Sequence, residues 1–290
     1  MTLQKNSLIL RIKILIILML CCSYAHAEDV DSLSVSQRLE SLFSRLIVER
    51  EDSSRLKIND SIKIIVEEIV EIDSIFKFNF KNIRFLGQIT STDSIIKIVS
   101  WNLNLKNERG RYFCYMIKKN EPDERNSIYK LTAEYDSTSI SIDTIYTDKN
   151  WYGALYYEIR PLVLNGAKCW ILLGINYGNP LITRKIIDVI TFKQNGEMTF
   201  GSPVFLSLEK FEPRAVFQYS VDATMTLRFA NDSTIAFDHL VPFSPDFEGQ
   251  MEYYGPDYSY DAYTFENGIW TFVRDIDARN EEKPMMIPLR

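Results

Sequence analysis

The stretch "DVITFKQNGEMTFG", residues 188–201, decides the fold. Two short runs rich in β-branched and aromatic residues flank Asn195-Gly196. Asn-Gly favours a tight hairpin because both positions accept a positive φ. The same pair stands at Asn165-Gly166, between "ALYYEI" and "CWILLGI", and at Asn267-Gly268, between "YDAYTF" and "IWTFV". Asn231-Asp232, between "MTLRF" and "TIAFDHL", is a weaker fourth. Working back toward the N-terminus, "RYFCYMI", "IIKIVSWNL" and "FKFNF" have the same strand character, the last alternating at Phe76, Phe78 and Phe80. Short strands with local connections predict an antiparallel β-meander over residues 75–290. Closure as a barrel, a sandwich or a small propeller stays open.

The preceding residues have a different period. Val35, Leu39, Leu42, Phe43, Leu46 and Ile47 share one helical face, which predicts a helix over residues 35–50 capped by Ser32 or Ser34. A second helix is expected from Ser61 to about Ile72, on Ile62, Ile65, Val66, Ile69 and Val70. Its β-branched content keeps strand open as an alternative. The fold class is therefore α+β, mainly β, with a helical segment at 28–74 and an antiparallel β domain at 75–290.

Residues 1–27 read as a cleavable export signal. Lys5, Arg11 and Lys13 precede the apolar run "ILIILMLCC", and Ala25 and Ala27 stand at the small-residue positions of a cleavage site. The run falls short of the ~18 residues of a membrane anchor. Leu20 before Cys21 and Cys22 does not suit lipid attachment. The expected location is the periplasm or the extracellular space, with no membrane span after cleavage. The segment holds three basic and no acidic side chains, so its loss takes the net charge from −6 to −9. That balance disfavours nucleic acid, whose phosphates demand clustered Lys and Arg. Eleven acidic and four basic residues fall between Asp238 and Arg290, so the C-terminal part carries most of the negative field.

Cys114 and Cys169 remain after cleavage, both within apolar strand-like runs. An oxidising compartment lets them pair, and burial as free thiols is the alternative.

Several stretches together carry a resemblance: "WYGALYYEI", "LLGINYG", "KIIDVITF", "FGSPVF" and "FDHLVPFSPDFEGQMEYYGPDYSYDAYTFENGIWTFVRDIDARN". Over about residues 75–280 the chain resembles an uncharacterised family of exported proteins of Gram-negative bacteria. The resemblance implies export and a shared fold, and brings no activity, cofactor or site residue.

Catalytic grammar is sparse. His239 is the only histidine beyond the signal, and Asp238 beside it points to the opposite face of a strand. A local hydrogen bond at a strand end is the expectation for it, with general-base chemistry as the functional alternative. No G-x-S-x-G, H-E-x-x-H, Walker A loop or dinucleotide fingerprint occurs, and no cofactor is implied. A two-carboxylate hydrolase such as a glycosidase needs no local motif, only two carboxylates at a set separation. Asp238, Glu252, Asp257 and Asp261 are its candidates. Asp275 and Asp277, with Asp257 and Asp261 upstream, are weak candidates for calcium, which needs about six oxygen ligands. Arg274 and Arg279 neutralise them equally well.

Nine aromatic residues lie between Phe247 and Phe272. Tyr263, Phe265, Trp270 and Phe272, on the two arms around Asn267-Gly268, read as cross-strand packing pairs. Tyr253, Tyr254, Tyr258 and Tyr260, with Asp257, lie on or beside a turn and are the ligand-binding candidates, because loops carry function more often than their scaffold. The expected activity is that of a non-catalytic binding or envelope-associated module, with a glycan or a peptide as the ligand.

Overall fold

The computed structural model describes residues 34–80, 83–106, 111–121, 124–134, 140–177 and 180–277. Residues 1–27, expected to be an export signal, the expected cap Ser32 and Arg279 lie outside the described residues. The chain forms two compact units that divide between Leu86 and Gly87.

The first unit is helical. α1 covers residues 34–48. α2 runs from Asp52 to Val70, so it starts nine residues before the sequence pattern suggests. Its buried residues include Ile58, Ile62, Ile65, Val66, Ile69 and Val70, whereas Ile64 is 57% exposed. An alternating strand would bury Ile64 together with Ile62 and Val66. The helical period therefore settles the ambiguity, and β-branched side chains cost only a little propensity in a helix. The expected strand "FKFNF" does not form. Asp73–Phe76 is a 3-10 turn, and Phe78 packs edge-on to Phe80 at 4.8 Å. Alternation alone makes no strand without a ladder partner, so the β unit begins at Gly87 and not at residue 75.

The second unit holds sixteen described strands in three sheets, antiparallel but for one pair. Among the described residues no closed barrel forms. The first sheet is a meander of β1 (Gly87–Thr90), β2 (Ile96–Leu103), β3 (Arg111–Lys118) and β4 (Ser127–Glu134). The second has the order β5-β9-β8-β7-β6: β5 (Tyr146–Thr147), β6 (Leu155–Leu164), β7 (Ala167–Asn176), β8 (Ile182–Phe192) and β9 (Met198–Phe200). β12 (Ala215–Ser220) continues the edge of β8 beyond β9. The third has the order β11-β10-β16-β15-β14-β13. It contains β10 (Phe205–Ser207), β11 (Lys210–Glu212), β13 (Leu227–Asn231), β14 (Thr234–Pro242), β15 (Tyr254–Glu266) and β16 (Ile269–Val273). The parallel pair is β10 with β16, where Phe205 faces Trp270.

The sheets stack in three layers with the second in the middle. Along β7, Trp170 and Leu172 enter one core cluster with Ile98, Tyr112, Cys114 and Leu131 of the first sheet. Cys169, Ile171 and Leu173 enter another with Ile235, Phe237, Tyr263 and Trp270 of the third. A strand covered on both faces must be apolar at successive positions, which accounts for the unbroken "CWILL" of β7. β2 and β3 are likewise buried at successive positions, and Trp101 stacks on Phe113 at 5.2 Å.

Turn chemistry follows the sequence at two of the three Asn-Gly pairs. Asn165 and Gly166 have φ of 49° and 77°, and Asn267 and Gly268 have 51° and 85°, as a two-residue hairpin turn demands. At the opening stretch only Gly196 is left-handed, at 81°. There the loop is one residue longer: the Lys193 N–H donates to the Glu197 carbonyl, and Asn195 Oδ1 accepts the Glu197 N–H. The hairpin is present, but its turn is of the three-residue kind that ends in a left-handed glycine.

No disulfide forms. Cys114 and Cys169 are both buried free thiols, in different core clusters on opposite faces of the middle sheet. Burial pushes both thiols up, Cys169 to about 12. We expect a thiol-reactive dye to label neither cysteine in the folded protein and both after unfolding without reductant. One labelled site, or none, in the unfolded chain would contradict this arrangement.

Candidate functional site

The candidate residues gather where β14 and β15 lose register. The ladder pairs Phe237 with Asp261 and Asp238 with Tyr260, then resumes at Leu240 with Pro256. His239 therefore stands opposite three residues, Asp257, Tyr258 and Ser259. Such bulges redirect side chains and concentrate near functional sites.

His239 shares its face with Phe237, whose ladder partner is Asp261. The result is a contact between residues far apart in sequence: His239 Nδ1 lies 2.7 Å from Asp261 Oδ2. Asp261 is buried, and its Oδ1 accepts the backbone N–H of Asp275 at 3.2 Å. The Asp275 backbone is left-handed, with φ 55°. The next N–H, of Ile276, donates to the Tyr260 carbonyl. The segment leaving β16 thus folds back over the carboxylate and helps to satisfy it. A buried carboxylate demands such partners, and the imidazole and this N–H supply them.

The bulge itself is ordered by Asp257, whose Oδ1 accepts the Ser259 hydroxyl at 2.7 Å and the Ser259 N–H at 3.0 Å. Those two bonds, assisted by the nearby His239, hold the Asp257 carboxyl below its ordinary range. Tyr258, between them, has φ 72° and is 93% exposed. An aromatic residue in the left-handed region is a strained outlier, and strain of this kind clusters at functional sites.

The other sequence candidates are placed differently. Asp238 turns away from His239, and its Oδ2 accepts the Thr226 N–H at 2.7 Å. Glu252 sits on the 3-10 turn Met251–Tyr253. Tyr253 stacks on Phe247 at 4.2 Å, and the Tyr254 hydroxyl accepts the Gly249 N–H. Phe243, not singled out by sequence, lies over Gly255, where a Cβ would come within 2.6 Å of its ring, and is 61% exposed. Asp275 and Asp277 do not share a strand face, because β16 ends at Val273. Among the described residues no three His, Cys, Asp or Glu side chains gather to hold a metal.

The paired aromatics of the last hairpin belong to the core. Phe265 meets Trp270 at 4.9 Å and Tyr263 meets Phe272 at 5.7 Å. Trp270 is fully buried, since β16 lies between β15 and β10 and is not an outer strand.

A second charged cluster is buried in the middle sheet. Arg214 Nε donates to Asp188 Oδ2 at 2.9 Å, and both side chains are fully enclosed. The other guanidinium nitrogens donate to the carbonyls of Ser141, Thr144 and Phe200. Asp188 also accepts from the Tyr152 hydroxyl and the Val189 N–H. Burial opposes the Arg214 charge, but Asp188, Tyr152 and Tyr146 together outweigh it and leave the guanidinium more firmly protonated, while burial outweighs Arg214 at Asp188 and raises its carboxyl above the ordinary range. Burial, with the Asp188 charge second, raises Tyr152 well above its ordinary value. With every carboxylate contact internal, this network braces the point where β12 gives way to β9 along β8.

Chemically, the bulge offers an oriented imidazole, an ionised Asp257, a serine hydroxyl and an exposed phenol ring. These groups hydrogen-bond and stack. None of the family models, curated proteins or solved structures compared with this chain matches it. Among the described residues no helix is long and apolar enough to cross a membrane.

Proposed function

We propose that this is an exported, non-catalytic binding module whose ligand is a glycan seated at the β14–β15 bulge. The observation that carries the reading is Tyr258: a ring held almost wholly in solvent on left-handed backbone, beside Asp257 and the His239–Asp261 pair. A sugar ring offers an apolar face to stack on tyrosine and hydroxyls to donate to carboxylate and imidazole. The negative charge concentrated after Asp238 disfavours polyanions. Export rests on the sequence of residues 1–27 and on the family resemblance. A hydrolase needs two facing carboxylates, and here Asp261 is engaged by His239 while Asp238 caps Thr226.

Titration of the mature protein against a panel of neutral oligosaccharides tests the proposal. Tyr258→Ala is expected to weaken binding about tenfold or more and to leave the melting temperature unchanged. Tyr258→Gly should weaken it similarly while gaining up to about 1 kcal/mol of stability, because glycine adopts this φ without strain. Binding of peptides instead of sugars would refute the ligand class, and glycan binding indifferent to Tyr258 would refute the site.

A further inference from the structure

A cleft of about 680 Å³ opens elsewhere in the β unit, where the outer strands of all three sheets meet. β1 contributes Ile89 and Thr90, with Thr92 just beyond it. β6 contributes Tyr157 to Leu162, and β13 contributes Phe229. Ile171 and Trp270 complete the apolar wall, and Asp232 stands at the rim. The volume falls in the range of small-molecule sites, and the lining mixes apolar surface with a few fixed polar groups, as such sites do.

The polar groups are held in place. Arg160 donates to Glu158 at 2.8 Å and to Asp232 at 3.0 Å, and its guanidinium lies 4.1 Å from the centre of the Phe229 ring. The Tyr157 hydroxyl donates to the Leu227 carbonyl at 2.9 Å. These contacts tie β6 to β13 and set the cleft's shape. Two carboxylates against one guanidinium leave the lining with a net negative charge.

Trp270 supplies an independent sign. It is fully buried, yet its indole N–H has no acceptor among the described residues. Buried polar groups are seldom left so, because the desolvation is uncompensated. Trp270 is one of the residues that line the cleft.

We propose that this cleft is a binding site for a neutral, largely apolar small molecule with a carbonyl or ether oxygen that accepts the Trp270 N–H. The apolar body lies against Ile159, Ile171 and Phe229, and the net negative lining rejects anions. This site is separate from the β14–β15 bulge and stands or falls independently of the glycan reading.

The test uses 6-propionyl-2-(dimethylamino)naphthalene, a neutral aromatic ketone whose emission moves to the blue in apolar surroundings and back to the red when its carbonyl accepts a hydrogen bond. Saturable binding with a blue shift is expected for the mature protein. Thr92→Trp, at an exposed position of the lining, should fill the mouth and weaken binding about tenfold or more without lowering the melting temperature. Trp270→Phe keeps the ring and removes the donor. It should weaken binding about three- to tenfold and shift the bound emission further to the blue. Tyr258→Ala should change nothing. Absence of saturable binding, or binding indifferent to Thr92→Trp, would overturn the proposal. Equal affinity for the anion 8-anilinonaphthalene-1-sulfonate would overturn the assignment to a neutral ligand.

Discussion

Replacing Arg214 with methionine is expected to destabilise the β unit by about 3–5 kcal/mol, the cost of stranding a buried charge. Methionine fills much of the space but gives Asp188 no cation. It also abandons the carbonyls of Ser141, Thr144 and Phe200, which have arginine as their donor. The effect should be strongly coupled. With Asp188 replaced by leucine in the same chain, neither charge remains to be stranded, and a large part of the loss should return, because buried ion pairs exchange for apolar residues at little net cost. Urea denaturation of the two single variants and the double variant measures this directly. Additive losses would mean that the pair does not act as a unit.

Trp270→Ala is the second large effect, at about 3–5 kcal/mol. The ring is fully enclosed on an interior strand, between Phe205 on β10 and Phe265 on β15. Its removal leaves a void at the junction of a parallel and an antiparallel ladder, where neither strand can close up without breaking hydrogen bonds. Trp270→Phe separates packing from polarity, since it keeps an aromatic ring and discards an indole N–H that has no acceptor among the described residues. It should cost far less than alanine. A melting curve of Trp270→Ala that overlays the parent would show the last hairpin to be an appendage.

The local grammar of this chain is written in short range. The helical stripe of α2, the left-handed Asn-Gly turns at 165–166 and 267–268 and the alternation of Tyr263 with Phe265 depend on neighbours within a few residues. Each can be read without knowing what lies across the core. The same reasoning goes astray at "FKFNF", where alternation is present and a ladder partner is not.

The site is a different case. Nothing near His239 announces Asp261, twenty-two residues away, because the contact arises from the pairing of Phe237 with Asp261 and the bulge that follows. A bulge position depends on how two strands share one face, which no single segment encodes. The unbroken apolar run of β7 likewise records burial on both faces without saying which sheets cover it. Sequence periodicity therefore determined which segments are helices and strands and where several of the hairpins turn. The stacking of three sheets decided what those segments enclose. It separated the two cysteines, enclosed Arg214 with Asp188, brought β1, β6 and β13 to one cleft, and set an imidazole against a carboxylate. These are contacts between distant parts of the chain, and they exist only once the layers have packed.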